Sequence, residues 1–297
     1  MTEAQNKSRW LVVCLSLVPV WLVVSAGAAV WWSINKDDKN EEERNQRFAM
    51  EMSVERIADD LRKLDEVIGP RNKANPENLK RAAAMIDGIL GPSNTGYQTR
   101  RIPGPNDVPV IQVTVAGKDG DAAPYWVIAS FDTSEEGDLI STQTSSVAAL
   151  IAVAQAMSRD QPEQDIHFLF YPIGNGSDSG TKALTKNLLA VLTPPKCVFY
   201  IGGMDFGSKT GSTLTAISAM QEDSIEVRAL QGIGQHHKDG PVSLAVFGIQ
   251  STDLPTLYVL STILPGSELD QSANNIAISA GKLVEWLRRA DRLQAAE

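Results

Sequence analysis

The sequence predicts an α/β domain with three α/β/α layers and a central, mostly parallel mixed sheet, preceded by one N-terminal transmembrane helix. After the first hundred residues, segments patterned as strands alternate with segments patterned as helices, which is typical of α/β folds. Two of the strands, residues 125–131 and 166–171, are largely apolar and lack polar alternation. Strands of this kind are covered on both faces, so we expect them in the middle of the sheet. An uncharged run near the N-terminus accounts for the transmembrane helix.

Length and charge limit the functions to consider. The chain has 297 residues, which is enough for one sizeable domain and an appendage. Its net charge is −9 and no basic patch stands out, so we do not expect nucleic acid as a partner. Cys14 lies in the apolar run and Cys197 is alone in the domain, which excludes a disulfide within the domain.

The N-terminal apolar run is predicted to anchor the chain in a membrane. Residues 10–33 are long enough to span a bilayer, and Trp10, Trp31 and Trp32 lie near the ends, where indoles favour the interface. The alternative is a signal peptide cleaved at the small residues 26–28. We favour the retained anchor, because the run exceeds a usual signal core and has tryptophans beyond that cleavage site. The predicted organisation is a short tail (1–9), the transmembrane helix (10–33), a charged juxtamembrane linker or helix (34–52) and the α/β domain (53–293).

Charges around the span give a mixed indication of topology. Lys7 and Arg9 precede it, and four basic residues follow it, Lys36, Lys39, Arg44 and Arg47. Positive charge alone would place the C-terminal side in the cytoplasm. We nevertheless expect a single-pass cell-membrane protein whose large domain is extracytoplasmic (periplasmic), as for an N-terminal signal anchor with a short tail.

The remaining segments follow in a regular order. Helices are predicted over 53–68 and 76–90, and each is followed by a Gly-Pro pair that stops it. Further strands are predicted at 108–116, 197–203, 243–249 and 256–261, and further helices at 146–157, 182–192 and 272–293. Because ligands of parallel sheets bind at the carboxyl ends of the strands, candidate site residues should follow Phe131 and Tyr171.

Five segments in order resemble one enzyme family. They are the Gly69-Pro70-Arg71 turn and the stretches 108–132, 145–157, 166–184 and 250–255. Together they resemble the co-catalytic zinc aminopeptidases, family twenty-eight of the metallopeptidases, over about residues 53–293. Glutaminyl cyclases, the transferrin-receptor ectodomain and nicastrin are similar to this family in fold. The resemblance implies a zinc-exopeptidase-like domain.

The family's chemistry needs two zinc ions held by histidines and carboxylates, with a glutamate as general base. Carried over one at a time, its positions fall on Ser130 (first histidine), Asp132 (orienting aspartate), Ser141 (bridging aspartate), Gly174 and Asn175 (base and ligand glutamates), Met204 or Asp205 (aspartate ligand) and Leu254 (last histidine). Most of these side chains bind zinc poorly or not at all. We therefore expect no metal, no cofactor and no catalytic residue there, and we interpret the positions as a vestigial pocket.

The sequence gives weaker indications of other kinds of active or metal-binding site. Of three histidines, His167 lies in a strand, and His236 and His237 are adjacent in a glycine-rich loop without a distinctive orienting aspartate. The loop 176–180 is similar to a nucleophile elbow, but its central residue is Asp178 rather than serine. Three carboxylates follow the first central strand, Glu135, Glu136 and Asp138; we interpret them as solvated, although they could bind a cation such as calcium.

These observations favour a membrane-anchored, catalytically inactive aminopeptidase-like domain that acts as a binding or scaffolding module. Its vestigial pocket would hold a peptide end or a loop of a partner protein. One alternative is an active peptidase or hydrolase with a rebuilt or partly metal-dependent site. Another is an assembly component whose anchor and charged segment 34–50 pair with other membrane proteins.

Overall fold

The computed structural model describes residues 24–27, 31, 43, 46–104, 107–133, 142–172, 188–202, 214–218, 220–238, 255–260 and 269–296. The chain divides into two compact units, residues 1–45 and residues 46–297. Within the described parts of the chain, no helix has the length and apolarity needed to cross a bilayer. Of the predicted transmembrane span 10–33, the structure describes only residues 24–27 and 31. The fold described below is that of the second unit.

Five α-helices of six or more described residues lie in this unit. They are α1 (Val54–Arg62), α2 (Pro76–Leu90), α3 (Thr142–Ala156), α4 (Ile225–Leu230) and α5 (Leu269–Gln294). The side chain of Ser53 caps α1 by accepting a hydrogen bond from the Arg56 backbone N–H. A π-helical segment, Lys63–Ile68, extends α1, and the chain then turns at Gly69, whose φ of 76° suits glycine. The predicted helices 53–68 and 76–90 are confirmed in this form.

Eight strands of the described residues form one sheet. They are β1 (Thr99–Ile102), β2 (Val110–Val115), β3 (Tyr125–Ser130), β4 (Ile166–Tyr171), β5 (Cys197–Ile201), β6 (Leu214–Ser218), β7 (Gly234–Lys238) and β8 (Thr256–Leu260). Their spatial order is β1-β2-β4-β3-β5-β8-β6-β7. β3 lies between β4 and β5 and is parallel to both, so the prediction that the two apolar strands are central is confirmed.

Three pairs in the sheet are antiparallel, β1 with β2, β2 with β4 and β6 with β8. β8 is parallel to β5 and antiparallel to β6. β6 and its parallel neighbour β7 therefore run opposite to the central strands. The carboxyl ends of β6 and β7 therefore lie at the opposite end of the sheet from the carboxyl ends of β3 and β4.

The sheet has a core on each face. On one face, alternate residues of the strands pack with apolar residues from all five helices. The smaller cluster on the other face includes Trp126, Ile128 and Leu169 from the strands, together with Leu188 and Leu192 from the predicted helix 182–192, of which residues 188–191 are helical. The mixed α/β class is confirmed, and a complete third layer stays a prediction because residues 173–187 lie outside the described part of the chain.

The segment before α1 packs on α5. A Cβ added to Gly281 would lie only 2.0 Å from the Phe48 carbonyl oxygen, so this contact requires glycine at position 281. The Lys282 ammonium lies 5.9 Å from the centroid of the Phe48 ring. Met52, four residues further on, is buried in the core. The chain is thus attached to the helical layer before α1 begins.

Some features were not predicted. β1, β6 and α4 were missed, and the predicted glycine-rich loop around His236 and His237 is wrong, because these residues lie in β7. β7 has the sequence GQHHK, without apolar alternation, and the structure forms it by main-chain pairing with β6. The predicted strand 243–249 lies outside the described residues.

Candidate functional site

Two of the predicted pocket residues lie together at the carboxyl end of β3. Ser130 is the last residue of the strand, and Asp132 follows two residues later; both are buried. The Ser130 hydroxyl donates a hydrogen bond to the Asp132 carboxylate and lies 3.4 Å from the carbonyl oxygen of Tyr171 on β4. At the position where the family resemblance implies a histidine, a short hydroxyl is therefore bonded to the neighbouring carboxylate.

Arg71 joins the end of β3 to the helical layer. Its side chain is fully buried, and Nε donates to the carbonyl oxygen of Phe131 at 2.8 Å. Its Nη1 donates to the carbonyl oxygens of Leu64 and Gly69, and its Nη2 to the Thr144 hydroxyl. The backbone N–H of Arg71 also donates to the Thr133 hydroxyl at 2.9 Å. Together these five hydrogen bonds fix the position of Arg71 next to the end of β3.

Asp65, which is half-buried, completes this cluster. One of its carboxylate oxygens lies 3.7 Å from Arg71 Nη1 and accepts a hydrogen bond from the Thr144 hydroxyl at 2.8 Å. Burial raises the pKa of Asp65 despite these partners, and burial also lowers the pKa of Arg71 despite the nearby carboxylates of Asp65 and Asp132. For both groups the cost of leaving water exceeds the gain from pairing, which indicates a cluster maintained by its packing and backbone bonds.

These residues do not fit a zinc site. A serine hydroxyl is a poor zinc ligand, and that of Ser130 is bonded to Asp132. Among the residues that the structure describes, no group of three or more His, Cys, Asp or Glu side chains is arranged to hold a metal ion. What the arrangement offers chemically is a set of short, fixed hydrogen-bonding groups at the end of a central strand.

The other predicted pocket positions lie outside the described residues: Ser141, Gly174, Asn175, Asp205 and Leu254. The same holds for the acidic loop 135–138 and the glycine-rich loop 176–180. Asp65 and Thr144 were missed as partners of the site. Asp65 lies in a segment predicted as an amphipathic helix, where a carboxylate suggests the solvated face. It pairs with Arg71 because the buried guanidinium needs a counter-charge, and that burial could not be seen in the sequence.

The histidines have defined partners. His167 Nδ1 lies 2.9 Å from the Thr114 hydroxyl on β2, and burial lowers the pKa of this imidazole. His236 lies between Ser218 and Glu222, with Nε2 2.9 Å from the serine hydroxyl and Nδ1 2.9 Å from a carboxylate oxygen. A glutamate, rather than an aspartate, therefore orients the imidazole of His236.

A cavity of about 330 Å³ lies between the segment that follows α3, residues 157–162, and the last turns of α5. Its lining is rich in charge, with Arg159, Asp160, Arg288, Asp291 and Arg292. Arg288 donates to Asp160 at 2.7 Å and to Glu51 at 2.8 Å, so its charge is compensated within the protein.

Comparison with known proteins finds structural relatives only. No protein-family model and no curated protein matches the sequence. Among solved structures, LapB from Legionella pneumophila aligns over 84% of this chain and 75% of its own, with a TM-score of 0.65 and 12% identity. A glutaminyl cyclase from an Acidobacteriales bacterium aligns over 82% and 96%, with a TM-score of 0.57 and 14% identity. BSAP, a zinc aminopeptidase from Bacillus subtilis, aligns over 82% and 95%, with a TM-score of 0.58 and 8% identity. The chain therefore has the mixed α/β fold of these aminopeptidases and glutaminyl cyclases.

Proposed function

We propose that this protein is a membrane-anchored, aminopeptidase-like domain that has lost zinc-dependent peptidase chemistry and acts as a binding or scaffolding module outside the cytoplasm. The observation that carries the proposal is the Ser130–Asp132 hydrogen bond at the carboxyl end of β3. The resemblance implies a zinc-binding histidine at residue 130 and its orienting aspartate at residue 132. The aspartate is present, and its partner is a hydroxyl.

Loss of the ligand is supported by the chemistry of the two side chains. An imidazole binds zinc through a nitrogen lone pair while its other nitrogen donates to a carboxylate. Ser130 retains only the bond to the carboxylate and presents no comparable ligand to a metal. A fold can persist after its original site has changed, because many different sites can be carried by one fold.

Binding is supported by the order of the cluster behind Ser130. Arg71 fixes the backbone on either side of Asp132, because its guanidinium donates to the Phe131 carbonyl oxygen and its own carbonyl oxygen accepts from the Thr133 backbone N–H. A rigid site loses little conformational entropy when it binds a ligand. Short polar side chains at a rigid strand end suit the polar groups of a peptide end or of a partner's loop. The membrane anchor of the proposal rests on residues 10–33 of the sequence.

The test is the zinc content of the purified complete chain, measured by elemental mass spectrometry after dialysis with and without added zinc. The zinc aminopeptidase from Bacillus subtilis, treated in the same way, is the positive control. We expect essentially no zinc in this protein. Retention of one or two equivalents would contradict the proposal and would favour the alternative of an active peptidase with a rebuilt site.

A further inference from the structure

Ser218, His236 and Glu222 form a hydrogen-bonded chain at the far end of the sheet. The Ser218 hydroxyl lies 2.9 Å from His236 Nε2, and His236 Nδ1 lies 2.9 Å from the Glu222 carboxylate. A nucleophile within hydrogen-bond reach of a base, with the base oriented by a third group, is the arrangement that activates serine in acyl transfer.

The strand pairing accounts for this arrangement. Ala216 on β6 is paired with His236 on β7, and Ser218 lies two residues further along β6. Because side chains alternate along a strand, Ser218 and His236 are on the same face of the sheet, and His237 is on the other face. Glu222 belongs to the turn that leads from β6 to α4 and reaches the imidazole from outside.

The hydrogen bonds select one protonation pattern. A carboxylate only accepts, so with neutral imidazole the proton of His236 is on Nδ1, which faces Glu222. Nε2 then has a free lone pair, and the Ser218 hydroxyl must donate to it. Ser218 Oγ in turn accepts the backbone N–H of Met220 at 3.1 Å. This is the tautomer that a general base needs in order to take the proton of a serine hydroxyl.

We propose that Ser218, His236 and Glu222 are an acyl-transfer site for small carboxylic esters, separate from the vestigial pocket and beyond the binding function proposed above. Ser218 Oγ attacks the ester carbonyl carbon while its proton moves to His236 Nε2. The imidazolium gives that proton to the departing alkoxide, so an alcohol leaves and an acyl-serine remains. Water, deprotonated by the same imidazole, then releases the carboxylic acid and restores the Ser218 hydroxyl.

Burial sets the expected substrate and rate. Ser218 is 5% exposed and the His236 side chain is also 5% exposed, which restricts access to small esters. Glu222 is 68% exposed and therefore orients the imidazole less firmly than a buried carboxylate would. We expect acylation of Ser218 to be measurable and turnover to be slow.

The experiment uses the complete chain and p-nitrophenyl acetate. Nitrophenolate release is followed by absorbance, and the acetyl group is located by acid quenching and peptide mass spectrometry. The variants are Ser218→Ala, His236→Gln and Glu222→Gln. His237→Gln is the matched control, because it removes the adjacent imidazole from the opposite face. Thermal unfolding identifies variants that fail to fold.

Acetylation should occur at Ser218 and disappear in Ser218→Ala. His236→Gln should slow nitrophenolate release at least about 100-fold, the scale of general-base catalysis, and Glu222→Gln should slow it less. His237→Gln should leave the rate unchanged. The proposal is overturned if wild-type Ser218 is not acetylated, or if folded His236→Gln reacts at the wild-type rate. Neither result bears on zinc content, so this site and the proposed binding function stand or fall separately.

Discussion

The buried guanidinium of Arg71 pairs with the half-buried carboxylate of Asp65 near the end of β3, with Nη1 and Oδ1 3.7 Å apart. Replacing Arg71 with Met would leave the half-buried Asp65 carboxylate without its counter-charge and would remove the bonds to the Leu64 and Phe131 carbonyl oxygens. We expect the free energy of unfolding to fall by roughly 3–5 kcal/mol, measured by urea denaturation.

The matched control for that change is Arg62→Met. Arg62 also pairs with an aspartate, Asp59, but both side chains are largely exposed. We expect this change to cost less than about 1 kcal/mol, since exposed pairs contribute little. Equal losses in the two variants would contradict a structural role for the buried pair.

Asp60 should make stability depend on pH. Burial raises the pKa of this carboxyl to about 6, with Asp59 adding to the effect and Lys63 and Arg56 opposing it. Between about pH 4 and pH 6 the native state then binds more protons than the unfolded state, so stability falls as pH rises. The total loss should be of order 2–3 kcal/mol. Asp60→Asn should remove this loss, which denaturation at several pH values would detect.

Asp59→Asn serves as the control for Asp60. Hydrogen bonds from Lys63 and Arg62 lower the pKa of the Asp59 carboxyl. Its contribution therefore has the opposite sign and is lost as pH falls through its folded-state pKa. A pH profile of Asp60→Asn that parallels the wild type would show that Asp60 does not titrate as described.

Gly281→Ala should destabilise the protein although alanine favours helices. The added Cβ would lie 2.0 Å from the Phe48 carbonyl oxygen, so the segment before α1 must shift away from α5. We expect a loss of about 1–3 kcal/mol and faster proteolysis near Arg47. Gly88→Ala in α2 is the control, because nothing lies within 4 Å of its Cβ. That change should raise stability by about 0.5–1 kcal/mol.

Trp286 connects α5 to α4 through its indole nitrogen. Nε1 donates to the backbone carbonyl oxygen of Glu226 at 2.7 Å, and the ring packs edge-on against Phe199 at 5.0 Å between centroids. Trp286→Phe should cost at least about 1–3 kcal/mol, because it leaves that buried carbonyl without its donor.

Trp126→Phe is the comparison for Trp286. Trp126 is equally buried, but its Nε1 has no hydrogen-bond partner among the residues that the structure describes. Removing an unsatisfied donor costs less than removing a bonded one. If Trp126→Phe proved the more damaging change in urea denaturation, the importance of the Glu226 bond would be refuted.

The central strands could be predicted because long apolar runs indicate burial on both faces, and Asp132 could be placed just after one of them for the same reason. The partners of Arg71 could not be predicted, because the sequence of an amphipathic helix does not show whether a polar residue faces solvent or a buried guanidinium. β7 was not predicted because its sequence lacks apolar alternation, and main-chain pairing with β6 leaves no pattern in the side chains. The His236–Glu222 contact depends on that pairing and was missed with it.

The contact between Phe48 and Gly281 also has a mechanical consequence. α5 packs against α1, α3 and α4, and neither the first nor the last described segment of this unit is a strand. Tension applied to the chain ahead of Gln46 would therefore load the helical layer through Phe48 before it reached any hydrogen bond of the sheet. A domain pulled from this side would separate first at the contact between Phe48 and α5, and its strands would stay in register.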